Sequence, residues 1–159
     1  MRLTVQSIGV IHSPFHSIEE MPIQPLGASG VEGTVEVDPV FSEGLEDLSG
    51  FSHIYLFYYF HLAVRTELRV TPFMDTSSRG VFSTRSPLRP NHIGLSIVKL
   101  LEINENRLRI EGVDIVDKTP LLDIKPYIVE FDGVEGSSSG WFKADRSAVG
   151  EKRSDSRFG

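Results

Sequence analysis

The chain contains no cysteine. That removes disulfides, thiolate metal sites, iron–sulfur ligation and a cysteine nucleophile together, and it agrees with a reducing compartment. Long apolar runs are missing too. The longest, Ile54 to Phe60 and on past His61 to Val64, falls short of the ~20 residues that a spanning helix needs. Met1 to Val10 holds one arginine and no apolar core or small-residue cleavage pattern, so no signal peptide is expected, and the reading is of a soluble, cytoplasmic protein. No glycine pattern of the Walker or dinucleotide type occurs, and no serine sits in a nucleophile elbow.

What is present fits one domain of 159 residues with a net charge of −6. The charge is uneven. Residues 1–64 hold eight acidic side chains against Arg2, whereas 65–101 hold Arg65, Arg69, Arg79, Arg85, Arg89 and Lys99 against Glu67 and Asp75. An acidic protein can carry a basic patch of this kind for RNA, and the same arginines can equally be solvated around a loop.

Period-two alternation dominates. Leu3–Ile8 and Val31–Val37 alternate and read as strands; Phe51–His61 reads as a well-buried strand from its aromatic and β-branched residues, and Ile93–Ile103 and Arg107–Ile115 are further strand candidates, with Asn104-Glu105-Asn106 as a tight turn. Leu121–Phe131 reads as a strand interrupted by Pro126, which needs an edge, a bulge or a bend. Ser42 to Leu48 predicts one short helix capped by Ser42 and stopped by Gly50. Ser13–Gly30 and Met74–Arg89 read as long loops, a feature that is often functional. The expected fold is mainly all-β: a closed or coiled β architecture with one or few short helices and long loops. It should occupy residues 1–132, with a Gly/Ser linker and tail over 133–159 that docks by its aromatics, Trp141 and Phe142, or stays mobile.

Four segments carry the chemistry. They are Ile8-Gly9-Val10-Ile11-His12-Ser13-Pro14-Phe15, then Leu45-Glu46-Asp47-Leu48-Ser49-Gly50-Phe51-Ser52-His53-Ile54-Tyr55-Leu56 running to His61, then Gly80 to Ser96 with Arg85-Ser86-Pro87-Leu88-Arg89-Pro90-Asn91-His92-Ile93-Gly94, and Asp117-Lys118-Thr119-Pro120-Leu121-Leu122-Asp123-Ile124-Lys125-Pro126-Tyr127. In identity and order they resemble the TrmO family, also called TsaA-like or YaeB-like, over about residues 5–130. Arg153 to Phe158 also resembles the ending of short family members.

The resemblance implies a single-sheet β-barrel homodimer with the cofactor near the subunit interface. It implies transfer of a methyl group from S-adenosyl-L-methionine to N6 of N6-threonylcarbamoyladenosine at tRNA position 37, in the anticodon loop. Carried across, the cofactor positions are Pro22, Ile23, Gln24, His61, Leu62, Arg85, Leu95, Asp117, Lys118, Thr119 and Pro120. The family usually has Arg where Ile23 stands, Pro where His92 stands and Gly where Lys118 stands. A cofactor-binding module without catalysis, or a methyltransferase for a small molecule, are the alternative functions.

The residues taken alone leave further choices open. Asp117 to Pro120 could bind an adenosyl or methionine group or be an ordinary turn. Leu95 could cover an adenine face or fill the core, and His61 could be a ligand or a hydrogen-bonded strand end. Arg85 and Arg89 suit a carboxylate, a phosphate or a structural ion pair. Arg65, Arg69, Arg79 and Arg89 are the candidates for RNA. The catalytic residue is not identified: Tyr127 and Asp114 are candidates, with Asp117 and Asp123 as other proton acceptors. His12 and His16 have metal-like helical spacing, but Pro14 between them opposes a helix, and no metal is expected.

Overall fold

The computed structural model describes residues 1–19, 21–22, 28–73 and 75–143. Six strands close into one antiparallel barrel in the order β1-β2-β7-β6-β3-β8. These are β1 (Gly9–His12), β2 (Glu32–Val37), β3 (His53–Tyr59), β6 (Ile93–Asn104), β7 (Arg107–Glu111) and β8 (Thr119–Pro126). Two short strands between β3 and β6, β4 (Arg69–Val70) and β5 (Arg79–Gly80), pair with each other in a separate sheet.

Alternation explains which faces turn inward. Ile54, Leu56 and Tyr58 of β3 are buried, and so are Gly94, Ser96 and Val98 of β6. Both β6 and β8 then change phase. The β6–β7 register slips between Leu100 and Glu102, so the inward series passes from Leu100 to Ile103. Against β3, the β8 register slips beside Phe57 and Tyr58, so the inward series passes from Leu121 to Ile124. One extra residue in each strand bends it enough to help close the barrel. The core gathers Ile11, Val35, Ile54, Leu56, Val98, Leu108, Ile110 and Leu121 from all the barrel strands, with Val113 and Ile115 from the segment after β7.

Several expectations change. Residues 3–8 form no strand, and Leu3 and Val5 are 82% and 65% exposed. Their would-be partner β2 ends at Val37; after Asp38 N–H donates to Ile8 O, Pro39 turns the chain away. The expected helix at Ser42 is two 3-10 turns, Pro39–Leu45 and Leu48–Gly50. Ser42 does not cap; its hydroxyl donates back to Pro39 O at 2.8 Å, and Asp47 between the turns is left-handed at φ 62°. The strand after the Glu105 turn stops at Glu111, because Gly112 at φ 87° redirects the chain. The last strand starts earlier than read, at Thr119, and Pro126 ends it; Val129–Asp132 is a single helical turn, α1.

The expected loop at 74–89 is instead part of a small lobe. It has its own core, in which Val70, Val81 and Leu88 are buried with Phe73 against them. Arg69 braces its sheet by donating from Nη2 to Ser78 O at 2.9 Å. Trp141 also reaches the lobe. Its Nε1 donates to Ser83 O at 2.9 Å, and the Arg79 guanidinium lies 5.2 Å from the centre of its ring. Among the described residues, no helix is long and apolar enough to cross a membrane.

Candidate active site

Strand direction decides where the candidate segments meet. In this antiparallel barrel β1, β3 and β7 finish at the end where β2, β6 and β8 begin. The connections at that end are residues 13–31, 60–92 and 112–118. The first holds the Pro22 segment, the second His61, Leu62 and Arg85, and the third Asp117 and Lys118, which lead directly into Thr119 and Pro120. Three loops distant in sequence are therefore neighbours in space. Pro22 is buried there; Ile23 and Gln24 lie outside the described residues, as does the Arg153–Phe158 segment.

Individual contacts tie the loops together. Thr119 is buried and donates its hydroxyl to Val116 O at 2.6 Å, while His61 Nδ1 lies 3.3 Å from the same hydroxyl oxygen. Burial lowers the His61 pKa, and a bond to the Tyr59 backbone only partly offsets it, so the imidazole is neutral at pH 7. Asp117, 14% exposed at its side chain, holds the first loop to the third. Its Oδ1 accepts from the Ser13 amide at 3.2 Å and faces His12 Nδ1 at 3.3 Å, and its Oδ2 faces His16 Nδ1 at 3.5 Å. Burial works to raise its pKa, but the Ser13 amide, His12 and the Lys118 amide outweigh burial and leave the carboxyl below its ordinary range. The two histidines thus meet one carboxylate from a non-helical loop. Lys118 is left-handed at φ 63°, a geometry that favours the glycine usual in the motif.

The third loop also carries a buried carboxylate into the barrel. Asp114 Oδ1 accepts from the Ser96 hydroxyl at 2.7 Å, and Ser96 Oγ lies 3.0 Å from Tyr58 Oη. Burial pushes the Asp114 pKa up to about 6, against the Ser96 bond and the positive charge of Arg85, which pull it down. Burial and the Asp114 charge hold the Tyr58 phenol protonated. Alternation places both Ser96 and Tyr58 inward, but nothing in the one-dimensional pattern brings Asp114 to them.

The remaining candidates are spread out. Arg85 is exposed on the second loop, close enough to Asp114 and Tyr58 to act on both electrostatically. Leu62 and Leu95 are exposed, and Leu95 points to the outer face of the barrel beside Phe57. Tyr127 packs 5.7 Å from the Tyr55 ring and donates its amide to His53 O, at the start of β3. At ~3.3 Å per strand residue, the length of β3 puts it about 20 Å from the His61 end. Asp123 pairs with Lys125 at 2.8 Å on the outside. Arg65 pairs with Glu67 at 2.7 Å and Arg79 with Asp75 at 2.6 Å. Arg89 turns inward to backbone carbonyls.

A family model described as the tRNA-methyltransferase O N-terminal domain matches residues 10–133. The chain belongs to this family. A Pyrococcus abyssi member, named as a probable S-adenosyl-L-methionine-binding protein, is 50% identical over 99% of this chain and 86% of its own length. The human tRNA (adenine(37)-N6)-methyltransferase is 34% identical over 82% of this chain and 31% of its own. The crystal structure of TrmO from Pseudomonas aeruginosa superposes with a TM-score of 0.76 at 39% identity, covering 90% of this chain. This chain spans 64% of that solved family member.

Proposed function

We propose that this chain is an S-adenosyl-L-methionine-dependent methyltransferase that modifies N6 of N6-threonylcarbamoyladenosine at position 37 of tRNA, as a cytoplasmic homodimer. The observation that carries the reading is the meeting of the His61, Arg85 and Asp117–Pro120 loops at one barrel end, in a family named for tRNA methylation.

The residues suit that cofactor. An exposed guanidinium, Arg85, answers the carboxylate of a methionine moiety. The left-handed turn at Lys118 beside buried Thr119 gives a fixed wall for a nucleoside, with Pro120 behind it. His61, neutral through burial, and Leu62 add no positive charge next to a sulfonium. The cofactor supplies an electrophilic methyl group, and the acceptor nitrogen supplies the electron pair. The chain's own work is then alignment: Asp117 holds the first loop against the third, and Asp114 fixes the barrel interior beneath Arg85. Tyr127 lies at the opposite end of β3 from His61, and Asp114 Oδ1 accepts from Ser96.

An anticodon-loop base is read by splaying and stacking it rather than through a groove, so charged groups around the site need only hold phosphates. Arg65 and Arg69, exposed on the lobe, suit that task. A second copy suits the outer face of β3 and β6, where Tyr59, Ile93, Leu95 and Ile97 form a continuous half-exposed apolar surface across paired strands. Residues 1–132 make up the barrel unit of this enzyme, followed by the tail segment 133–159, in which Trp141 meets the lobe at Ser83.

The test is transfer of a radiolabelled methyl group to tRNA that carries threonylcarbamoyladenosine. Incorporation that is lost in folded Arg85→Ala protein supports the reading. Tight cofactor binding without transfer to any tRNA pool would point instead to a binding module, the description that the Pyrococcus abyssi relative carries.

A further inference from the structure

Arg89 lies four residues after Arg85 and is half-buried where Arg85 is exposed. Its Nε donates to Ser86 O at 2.9 Å; its Nη2 donates to Thr84 O at 2.5 Å and to Val81 O at 3.4 Å. Thr84 and Ser86 are the two neighbours of Arg85 in the chain. One planar guanidinium therefore grips the peptide carbonyls on both sides of Arg85 and turns them inward. The loop is closed further from within. Thr84 Oγ1 donates to Val81 O at 2.8 Å and accepts from the Ser86 amide at 3.2 Å, and Ser86 Oγ accepts from the Leu88 amide at 3.2 Å. With the carbonyls facing Arg89, the charged side chain exposed between Val81 and Leu88 is that of Arg85.

We propose that Arg89 is a positioning residue that presents Arg85 to the carboxylate of the cofactor, and that it does not contact RNA. This rests on the function proposed above. Three of the five guanidinium N–H directions are used on backbone carbonyls, and releasing them to reach a phosphate would take this donor from Thr84 O and Ser86 O beside a buried Ser86 side chain. Lysine cannot replace this grip, since its ammonium is a point charge without the planar fork. Burial, and then the charge of Arg85, lower the Arg89 pKa, so the two guanidiniums feel each other. An anion arriving at Arg85 relieves that repulsion, which favours a carboxylate at this spot.

Calorimetry with S-adenosyl-L-methionine on wild type, Arg89→Lys, Arg89→Gln, Arg85→Ala and the Arg85→Ala/Arg89→Gln pair tests this. The tRNA affinity of the same proteins is followed across a salt series. Expected are cofactor affinity at least tenfold weaker in both Arg89 variants and a double variant no weaker than Arg85→Ala. The salt slope for tRNA should match wild type, and kcat at saturating cofactor should equal that of wild type, because the defect lies in KM. Should Arg89→Gln not fold, Arg89→Lys, which keeps the charge, decides. Cofactor affinity within twofold of wild type in a folded Arg89 variant overturns the proposal; a salt slope lowered by about one unit assigns Arg89 to a phosphate. Failure of wild type itself to bind cofactor overturns the function of the site, a result separable from either.

Discussion

The Ser96 hydroxyl donates to Asp114 Oδ1 at 2.7 Å inside the barrel, and this bond makes a buried carboxyl tolerable. It does so incompletely, since the folded-state pKa rises from 3.8 to about 6. A raised carboxyl pKa means that the folded state holds the proton more tightly than the unfolded chain does. Stability from this group is therefore greatest below pH 4, falls as pH rises through 4 to 6, and is level above. By linkage the loss is about 3 kcal/mol at most. Urea titrations of wild type and Asp114→Asn at pH 4 and pH 7.5 should show the difference between the two proteins changing by that order. A pH-independent difference would remove the buried ionisation.

Gly94 lies under the ring of Tyr58, its partner across the β3–β6 ladder. A Cβ at Gly94 would stand 2.2 Å from Tyr58 Cε2, and the ring is held by Ser96 at its hydroxyl and by Phe60 edge-on at 5.3 Å. Gly94→Ala should cost about 1–3 kcal/mol by overpacking. Chemical denaturation would read this, and Tyr58→Leu in the same chain should recover part of the loss by removing the ring.

Lys118 is exposed and left-handed, so its side chain gains little to offset a strained backbone. Lys118→Gly is expected to stabilise the protein by about 0.5–1 kcal/mol. Thermal melting would show a small rise. A fall would mean that the lysine side chain contributes a contact worth more than the strain.

Asp117 joins two loops through the Ser13 amide and two imidazoles, and its lowered pKa marks a carboxylate that favours the folded state. Its stabilisation is present above the unfolded pKa and is lost as pH falls through the lower folded value. Asp117→Asn at pH 7 should cost about 1 kcal/mol. Amide exchange at residues 12–16 should speed up, with the barrel strands unchanged.

Trp141 is the only tryptophan in the chain, so its emission reports on the tail alone. Arg79→Ala removes the guanidinium beside its ring. A red shift and faster proteolysis after residue 132 are expected. An unchanged spectrum would mean that the bond to Ser83 O holds the indole without Arg79.

The barrel was legible because alternation and turn residues are local signals. Ile54-Tyr55-Leu56-Phe57-Tyr58 reads as a strand from its aromatic and β-branched content, although its inward set is decided only by the fold, and Glu105 marks the hairpin turn. The phase changes at Leu101 and Leu122 were not legible, since a bulge leaves the apolar count of a strand intact. Residues 3–8 misled for the opposite reason: their alternation is real, but a strand needs a neighbour, and Pro39 removes it. The lobe was hidden by composition. Its core is only Val70, Val81, Leu88 and Phe73, scattered among Ser, Thr and Arg. In the site, the motifs named His61, Arg85 and Asp117 to Pro120, and antiparallel topology accounts for their meeting. The inward turn of Arg89 and the reach of Asp114 to Ser96 depend on tertiary contacts that spacing cannot express.

The lobe leaves and rejoins the barrel at one place. Phe60 N–H donates to His92 O at 2.8 Å, and Tyr59 sits opposite Ile93. The excursion is thus a cassette whose stubs are already clasped, and changing its length leaves strand order and register alone. Loop closure grows by only about 0.6 kcal/mol per doubling of length. The excursion can therefore vary in length and sequence while folding stays the business of the strands, and a cassette transplanted from a relative should leave the barrel's pairing intact.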